Sequence, residues 1–298
     1  MDGTNLIIFI AISMGTFARV FMIRIDYRQY PSYPQSFVSH LILGFVAACL
    51  GAVVIPAFAA KDFGAVTFLA LATSQFKDIR EMERRSLENL EDTELVSRGM
   101  AYIEDISKRF EARNYVAFVT SFVVCGLSLL ISNIMTLFTS IILSVSLGFG
   151  LILFLNNLMK AEVVRDIAEV KAAKIHFNGP LMYVDDIVIM NIGHSGSKDI
   201  LLQNAIAIML YPKDSDAVVT LANIGQRQAI LHNLATQLGI RKDVDEPDFT
   251  PMARRQSETG NIAIAVLAMD NNIEDAISAT LKVPILESSR RKAKGKIK

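Results

Sequence analysis

The sequence predicts an α-helical polytopic membrane domain followed by a small cytoplasmic α/β domain with a mostly parallel sheet. Two observations lead to this fold class. Long apolar runs fill the chain before Lys160, whereas the residues after it have the mixed pattern of a water-soluble protein. In that second part, short apolar runs alternate with helical patterns, which is typical of strands joined by helices. The predicted domains are residues 1–160, residues 161–286 and a basic tail at 287–298.

Five segments of the first domain are candidates for crossing a membrane, because a spanning helix needs about 20 mostly apolar residues. They are residues 6–25, 37–60, 63–76, 115–134 and 137–159. The third segment is short, so it is either re-entrant or strongly mismatched to the bilayer. Arg19 and His40 are expected near the ends of their spans, where long polar side chains reach the membrane surface by snorkelling. Small residues favour close helix packing at Gly44, Gly51, Gly126, Gly148 and Gly150.

Basic residues indicate the orientation of these spans. Lys and Arg concentrate near residues 24–28, between 77 and 113, and after residue 160, whereas Lys61 is the only basic residue in the other connections. Cytoplasmic loops carry the excess of positive charge. With five crossings, a multi-pass protein is expected whose amino terminus lies outside and whose carboxyl domain lies in the cytoplasm. The basic tail could contact anionic membrane lipids or simply be solvated.

The charged loop at 77–114 is predicted to be cytoplasmic and amphipathic. Apolar residues recur at helical spacing on both sides of Gly99, which predicts two helices broken at that glycine. After the last span, residues 162–174 are predicted to continue as a helix. The compact domain then has predicted strands at 187–190, 218–221 and 262–267, followed by predicted helices at 198–210, 226–238 and 273–281.

In a parallel sheet, ligands bind beyond the carboxyl ends of the strands, where loops and helix amino termini meet. The polar residues expected there form a candidate site for an anion, a nucleotide or a peptide, with Arg227 as the fixed positive charge. These residues are Asn191, Gly193, Ser195, Ser197, Asn223, Gly225, Gln226, Arg227 and Asp270. The alternative is that residues such as Ser197, Asn223 and Asn272 only cap helices or form turns. No phosphate-loop lysine or dinucleotide fingerprint is present.

Candidates for catalysis are incomplete. Ser195 lies in a sequence close to a nucleophile elbow, with His232 or His176 as possible base and Asp270 as the residue that would orient it. The carboxylates of Asp78, Glu104 and Asp105 could act as acids or bases. Glu104 and Asp105 each have a basic residue four positions on, so surface ion pairs are the alternative. No cofactor and no metal are expected, and no nucleic-acid partner is expected.

Residues 100–115, from Met100 to Tyr115, resemble the signature that gives the YIEGIA family of endospore-forming bacteria its name. Asp105 stands where that motif has glycine, and Ser107 where it has alanine. Residues 15–19, 26–31 and 65–72 are also similar to that family. The resemblance implies a sporulation membrane protein of the forespore or mother-cell membrane. It also implies a small soluble capping or regulatory protein as partner.

The sequence is compatible with three functions. The first is a regulatory or scaffolding membrane protein that binds a small cytoplasmic partner protein. The second is a membrane-embedded protease that degrades a specific sporulation protein. The third is a channel or transporter, which the Gly, Ala, Ser and Leu residues at mid-span disfavour.

Overall fold

The computed structural model describes residues 3–26, 35–240 and 250–291. The chain divides into two compact units. One, here the helical unit, contains Met1–Arg85 and Ile106–Lys160. The other, here the α/β unit, contains Ser86–Asp105 and Ala161–Lys298.

Five long helices carry the apolar sequence: α1 Gly3–Asp26, α2 Gln35–Ala59, α3 Phe63–Leu90, α4 Met100–Ser132 and α5 Leu137–Leu158. Within the described residues, four segments are long and apolar enough to cross a membrane: Gly3–Met22, Phe37–Ala59, Met100–Ser132 and Leu137–Leu158. Large apolar side chains such as Phe9 and Phe138 are exposed on them. Helices of this length that expose apolar side chains are typical of membrane proteins.

The predicted third span, residues 63–76, does not form an element of its own. It is the first half of α3, which continues without a break into the charged sequence up to Leu90. With four crossings both ends of the chain would lie on the same side of the membrane, whereas five place them on opposite sides. The orientation and the membrane of residence therefore stay predictions.

Glycines let the membrane helices approach closely. A Cβ atom at Gly51 would overlap the carbonyl oxygen of Phe118, and one at Gly44 would overlap the Arg19 side chain. Gly126 and Gly148 also lie against neighbouring side chains, as the sequence predicted. Gly150 has nothing within 4 Å of its missing side chain, so the prediction of close packing is wrong there.

The break between α3 and α4 lies where it was predicted. A short 3-10 turn, Glu91–Thr93, follows α3, and Gly99 adopts a φ of +81°, which favours glycine. The Glu91 carboxylate accepts hydrogen bonds from the backbone N–H of Arg98 at 2.9 Å and of Gly99 at 2.8 Å. These bonds fix the turn that precedes α4.

The α/β unit contains two antiparallel sheets. Strands β1 Ala168–Ala173, β5 Ala205–Pro212, β7 Ile262–Leu267 and β6 Met252–Arg255 form the first sheet in that order. Strands β2 Ile175–Asn178, β3 Leu181–Val184 and β4 Ile187–Asn191 form the second. Every pairing is antiparallel, so the prediction of a mostly parallel sheet is wrong.

Helices complete this unit: α6 Val164–Ile167, α7 Ser195–Asn204, α8 Ser215–Leu221, α9 Ile224–Leu238 and α10 Ile273–Leu281. One core lies between the two sheets and includes Met182, Ile189 and Met209. All six residues of β7 are buried. This strand therefore forms the centre of the domain.

Three local predictions are wrong, and together they account for the wrong prediction of a parallel sheet. Residues 218–221 belong to helix α8, because Asp214 caps it by accepting a hydrogen bond from the backbone N–H of Ala217 at 2.7 Å. Residues 205–210 lie in strand β5 instead of a helix. The predicted helix at 162–174 is only the four-residue α6, followed by β1.

Other local predictions are confirmed. The structure has the predicted strands at 187–190 and 262–267, and the last two predicted helices correspond to α9 and α10.

Candidate functional site

The start of α9 packs against the start of α4. Asn223 caps α9 with a side-chain oxygen that accepts from the backbone N–H of Gln226 at 3.2 Å. Gly225 lies so close to α4 that a Cβ atom there would be 2.8 Å from the Cβ of Ala101. The glycine therefore permits the contact between the two helix starts.

Gln226 is fully buried and joins α9 to the segment at 284–289. Its side-chain oxygen accepts from the backbone N–H of Leu286 at 2.8 Å and from the Ser289 hydroxyl at 2.9 Å. Its amide nitrogen donates to the Pro284 carbonyl at 3.0 Å. Three hydrogen bonds satisfy this side chain, so its role is to hold the segment in place.

Two further residues of α9 hold the segment before α4. Gln228 donates to the Ser97 carbonyl at 2.6 Å, and His232 Nδ1 lies 2.7 Å from the Val96 carbonyl oxygen. A carbonyl only accepts hydrogen bonds, so Nδ1 carries the proton of this imidazole. The Tyr102 ring lies edge-on to the His232 ring, with 6.4 Å between centroids.

Asp105, in the signature sequence, also contributes to this region. It is 6% exposed, and its Oδ1 accepts from the backbone N–H of Glu287 at 3.3 Å. We call this set of hydrogen-bonded side chains the polar junction: Ser97, Asp105, Gln226, Gln228, His232 and Ser289. Its hydrogen bonds hold together three segments of the α/β unit that are far apart in the sequence.

The polar junction should weaken in mild acid. Burial is the main cause that lowers the pKa of His232 below its ordinary value of 6.5, and the hydrogen bond to Val96 opposes that shift. The folded pKa is below the unfolded one, so the unfolded chain binds more protons as the pH falls. The stabilisation is complete above pH 6.5 and is lost as the pH falls through that value towards the folded pKa.

We therefore expect the melting temperature of the α/β unit to be lower at pH 5.5 than at pH 7.5 in the wild type. His232→Gln keeps a donor for Val96 but does not titrate, so its melting temperature should depend less on pH. His176→Gln, at an exposed histidine, is the control. An identical pH dependence in wild type and His232→Gln would contradict this assignment.

Exposed apolar side chains lie next to the polar junction. Leu95 is 57% exposed, Met100 58% and Ile224 76%. Met100 and Ile224 are the first residues of α4 and α9, the two helix starts that pack together through Ala101 and Gly225. We call Leu95, Met100 and Ile224 the apolar rim. Large apolar side chains grouped at a surface are typical of a contact site.

The helical unit contains a second candidate site, a buried charged cluster. The Arg19 guanidinium is 5.5 Å from the centre of the Phe110 ring, and the His40 ring is 4.7 Å from the same ring. Arg19 is 0% exposed and His40 2%. The prediction that these two side chains snorkel to the membrane surface is therefore wrong, since both are covered by protein.

Glu83 completes this cluster. One of its carboxylate oxygens is 4.0 Å from His40 Nε2. Burial raises the pKa of Glu83, and the nearby positive charge of Arg19 partly reverses that increase. The sequence could have indicated this residue. Glu83 lies four positions from Ile79 and four from Leu87, two of the apolar residues that recur at helical spacing before Gly99. A carboxylate there is placed on the buried face of α3.

Comparison with known proteins assigns the chain to a family. The family model described as YIEGIA protein matches residues 7–296. The chain belongs to the YIEGIA family. It is 38% identical over 277 residues to the Bacillus subtilis protein named "Uncharacterized protein YphB", covering 93% of this chain and 91% of that protein. No solved structure matches it significantly.

The structure of this YIEGIA protein does not bring all the predicted ligand-binding residues together. Asn223, Gly225, Gln226 and Arg227 lie at the start of α9. Asp270 lies at the other end, because its backbone N–H donates to the carbonyl of Leu238, the last residue of α9. A helix of 15 residues is about 22 Å long. The single site expected at the edge of a parallel sheet therefore does not form.

The other predicted residues surround the start of α7. Asn191 ends β4, Gly193 lies in the turn, and Ser195 and Ser197 lie in the first turn of the helix. His194 Nδ1 accepts a hydrogen bond from the backbone N–H of Ser197 at 3.3 Å. The histidine next to Ser195 is thus the cap of α7.

The predicted catalytic residues are likewise dispersed. His232, one possible base for Ser195, is hydrogen-bonded to Val96 in the polar junction. Asp78 is exposed on α3, Glu104 is half-buried on α4, and Asp105 accepts from Glu287. Within the described ranges, no three His, Cys, Asp or Glu side chains are grouped so that they could hold a metal ion.

Proposed function

We propose that this YIEGIA protein is a regulatory membrane protein of spore formation that binds a small soluble partner protein through the apolar rim. The observation that carries the proposal is the exposure of Leu95, Met100 and Ile224 beside the family signature. The resemblance to sporulation proteins supports the biological context. The predicted cytoplasmic position of the α/β unit supports a cytoplasmic partner.

The rim is suited to binding because the structure beneath it is held by internal hydrogen bonds. Gln228 fixes Ser97, and the Glu91 carboxylate fixes the backbone before Met100. A surface that is already ordered loses little conformational entropy when a partner binds. Apolar anchors surrounded by satisfied polar groups are the usual source of affinity in such contacts.

The test uses the full chain in nanodiscs and each small soluble sporulation protein of the host, with binding measured by titration. Ile224→Asp places a charge in the rim and should weaken binding of the cognate partner by at least about tenfold, which is about 1.4 kcal/mol. Leu202→Asp is the matched control, since Leu202 is 51% exposed on α7. It should bind as the wild type does.

The melting temperature of both variants is measured in parallel. Equal binding by wild type and Ile224→Asp would exclude the rim as the partner surface. If the full chain in nanodiscs attached to empty vesicles and Ile224→Asp abolished that attachment, the rim would bind the membrane instead of a protein partner.

A membrane-embedded protease is the second candidate, because the buried His40 lies 4.0 Å from the half-buried Glu83, whose pKa is raised by burial. Perturbed, buried ionisable groups are common in active sites. In the same host, Glu83→Gln should then raise the abundance of one sporulation protein. Glu81→Gln is the control on the same helix. Hydrogen bonds from Arg84 and Arg85 hold the pKa of Glu81 at about 2, a shift opposite in direction to that of Glu83. Unchanged protein levels in Glu83→Gln would leave only the binding role.

A further inference from the structure

Two adjacent arginines of β6 face different parts of the α/β unit. Arg254 pairs with Ala263, which belongs to the core between the two sheets. Arg255 pairs with Ile262, which does not. Neighbouring residues of a strand point to opposite faces of a sheet. Arg255 is therefore on the face of the sheet away from that core.

Helix α9, which carries Arg227, packs against strand β6, which carries Arg255. The Arg227 guanidinium is incompletely hydrogen-bonded. Its Nη2 donates to the Ala222 carbonyl at 3.5 Å, the limit for a hydrogen bond. Its Nε is buried and makes no hydrogen bond to any residue in the described part of the chain. Burial first, and the charge of Arg255 second, lower the pKa of Arg227. The two guanidinium groups therefore repel each other.

No carboxylate balances these two charges among residues 3–26, 35–240 and 250–291. The ion pairs found there involve other side chains, including Arg98 with Glu94 and Arg290 with Glu162. A guanidinium presents five donors, and paired guanidiniums match the oxygens of phosphate groups better than a single ammonium does. A doubly charged oxyanion would remove the repulsion and satisfy the spare donors.

We propose that Arg227 and Arg255 bind a phosphate group between α9 and strand β6. The group belongs either to a small soluble phosphate compound or to an anionic lipid headgroup, since both present the same oxygens. The site does not depend on the proposed partner protein, and it involves none of the three residues of the apolar rim.

The experiment measures the melting temperature of the full chain in phosphatidylcholine nanodiscs, with inorganic phosphate or with chloride at equal ionic strength. Phosphate should raise the melting temperature of the wild type. In Arg255→Ala the apparent affinity for phosphate should fall at least about tenfold, as expected for the loss of a charge-assisted contact. Arg254→Ala, the neighbour on the opposite face, should respond as the wild type does.

A second set of nanodiscs distinguishes the two sources. If lipid headgroups occupy the site, phosphatidic acid in the nanodisc should abolish the response of the wild type to free phosphate. If soluble compounds occupy it, the response should persist. The proposal is overturned if phosphate has no effect on the wild type in phosphatidylcholine, or if Arg255→Ala and Arg254→Ala respond equally.

Discussion

Replacing Gln226 with alanine should destabilise the α/β unit by about 3–5 kcal/mol, the largest effect expected for any residue of the polar junction. The substitution removes three hydrogen bonds and leaves the Leu286 N–H and the Pro284 carbonyl without their partner. Each buried polar group left unsatisfied costs about 1–3 kcal/mol. The segment at 284–289 should therefore detach from α9 before the rest of the unit unfolds.

Chemical denaturation followed by hydrogen exchange at residues 284–289 measures this effect. Gln226→Met, which keeps most of the volume but makes no hydrogen bonds, should lose nearly as much stability as Gln226→Ala. Gln237→Ala, at an exposed glutamine of the same helix, should change stability by no more than about 0.5 kcal/mol. A loss below about 1 kcal/mol in Gln226→Ala would show that solvent replaces these bonds.

Gly51→Ala should be the most damaging single-methyl change in the helical unit. The added carbon would overlap the backbone carbonyl of Phe118 and the Ser121 hydroxyl. Backbone cannot rotate away as a flexible side chain can, so α2 and α4 must separate. Overpacking costs typically about 1–3 kcal/mol and occasionally more, and this site belongs at the upper end of that range.

Thermal stability of the detergent-solubilised chain, measured by the fraction that remains monodisperse after heating, reports this change. Gly150→Ala is the matched control, because open space surrounds that position. It should behave as the wild type does. If Gly51→Ala and Gly150→Ala were equally stable, the close approach of α2 to α4 would not exist in the folded protein.

The sequence indicated the membrane helices well and the α/β unit only partly. Apolar composition over about 20 residues is a strong signal for a span, and four of the five predicted spans are found. Strand β5 was missed because a short apolar run such as Ala205–Leu210 fits a buried strand and a buried helix equally well. Once β5 was taken for a helix, the remaining strands appeared to be separated by helices, which favours a parallel arrangement.

The candidate site was harder to predict because a polar side chain does not reveal which group it will bond. The capping alternative is confirmed for Asn223 and for Asn272, whose Oδ1 accepts from the backbone N–H of Glu274. At α7 the cap is His194 rather than Ser197. Gln226 was expected to face a ligand and instead bonds to a segment 58 to 63 residues away. Such long-range partners leave no local pattern.

The position of β7 determines when this protein can fold during synthesis. This strand lies between β5 and β6 in the sheet, yet it begins only at residue 262. The membrane helices are already translated when β5 emerges from the ribosome with one unpaired edge, and unpaired strand edges promote aggregation. Until residues 262–267 have been synthesised, this sheet is incomplete and the edge of β5 that β7 will cover stays open. A nonsense mutation shortly before residue 262 would leave that edge open permanently and direct the product to degradation.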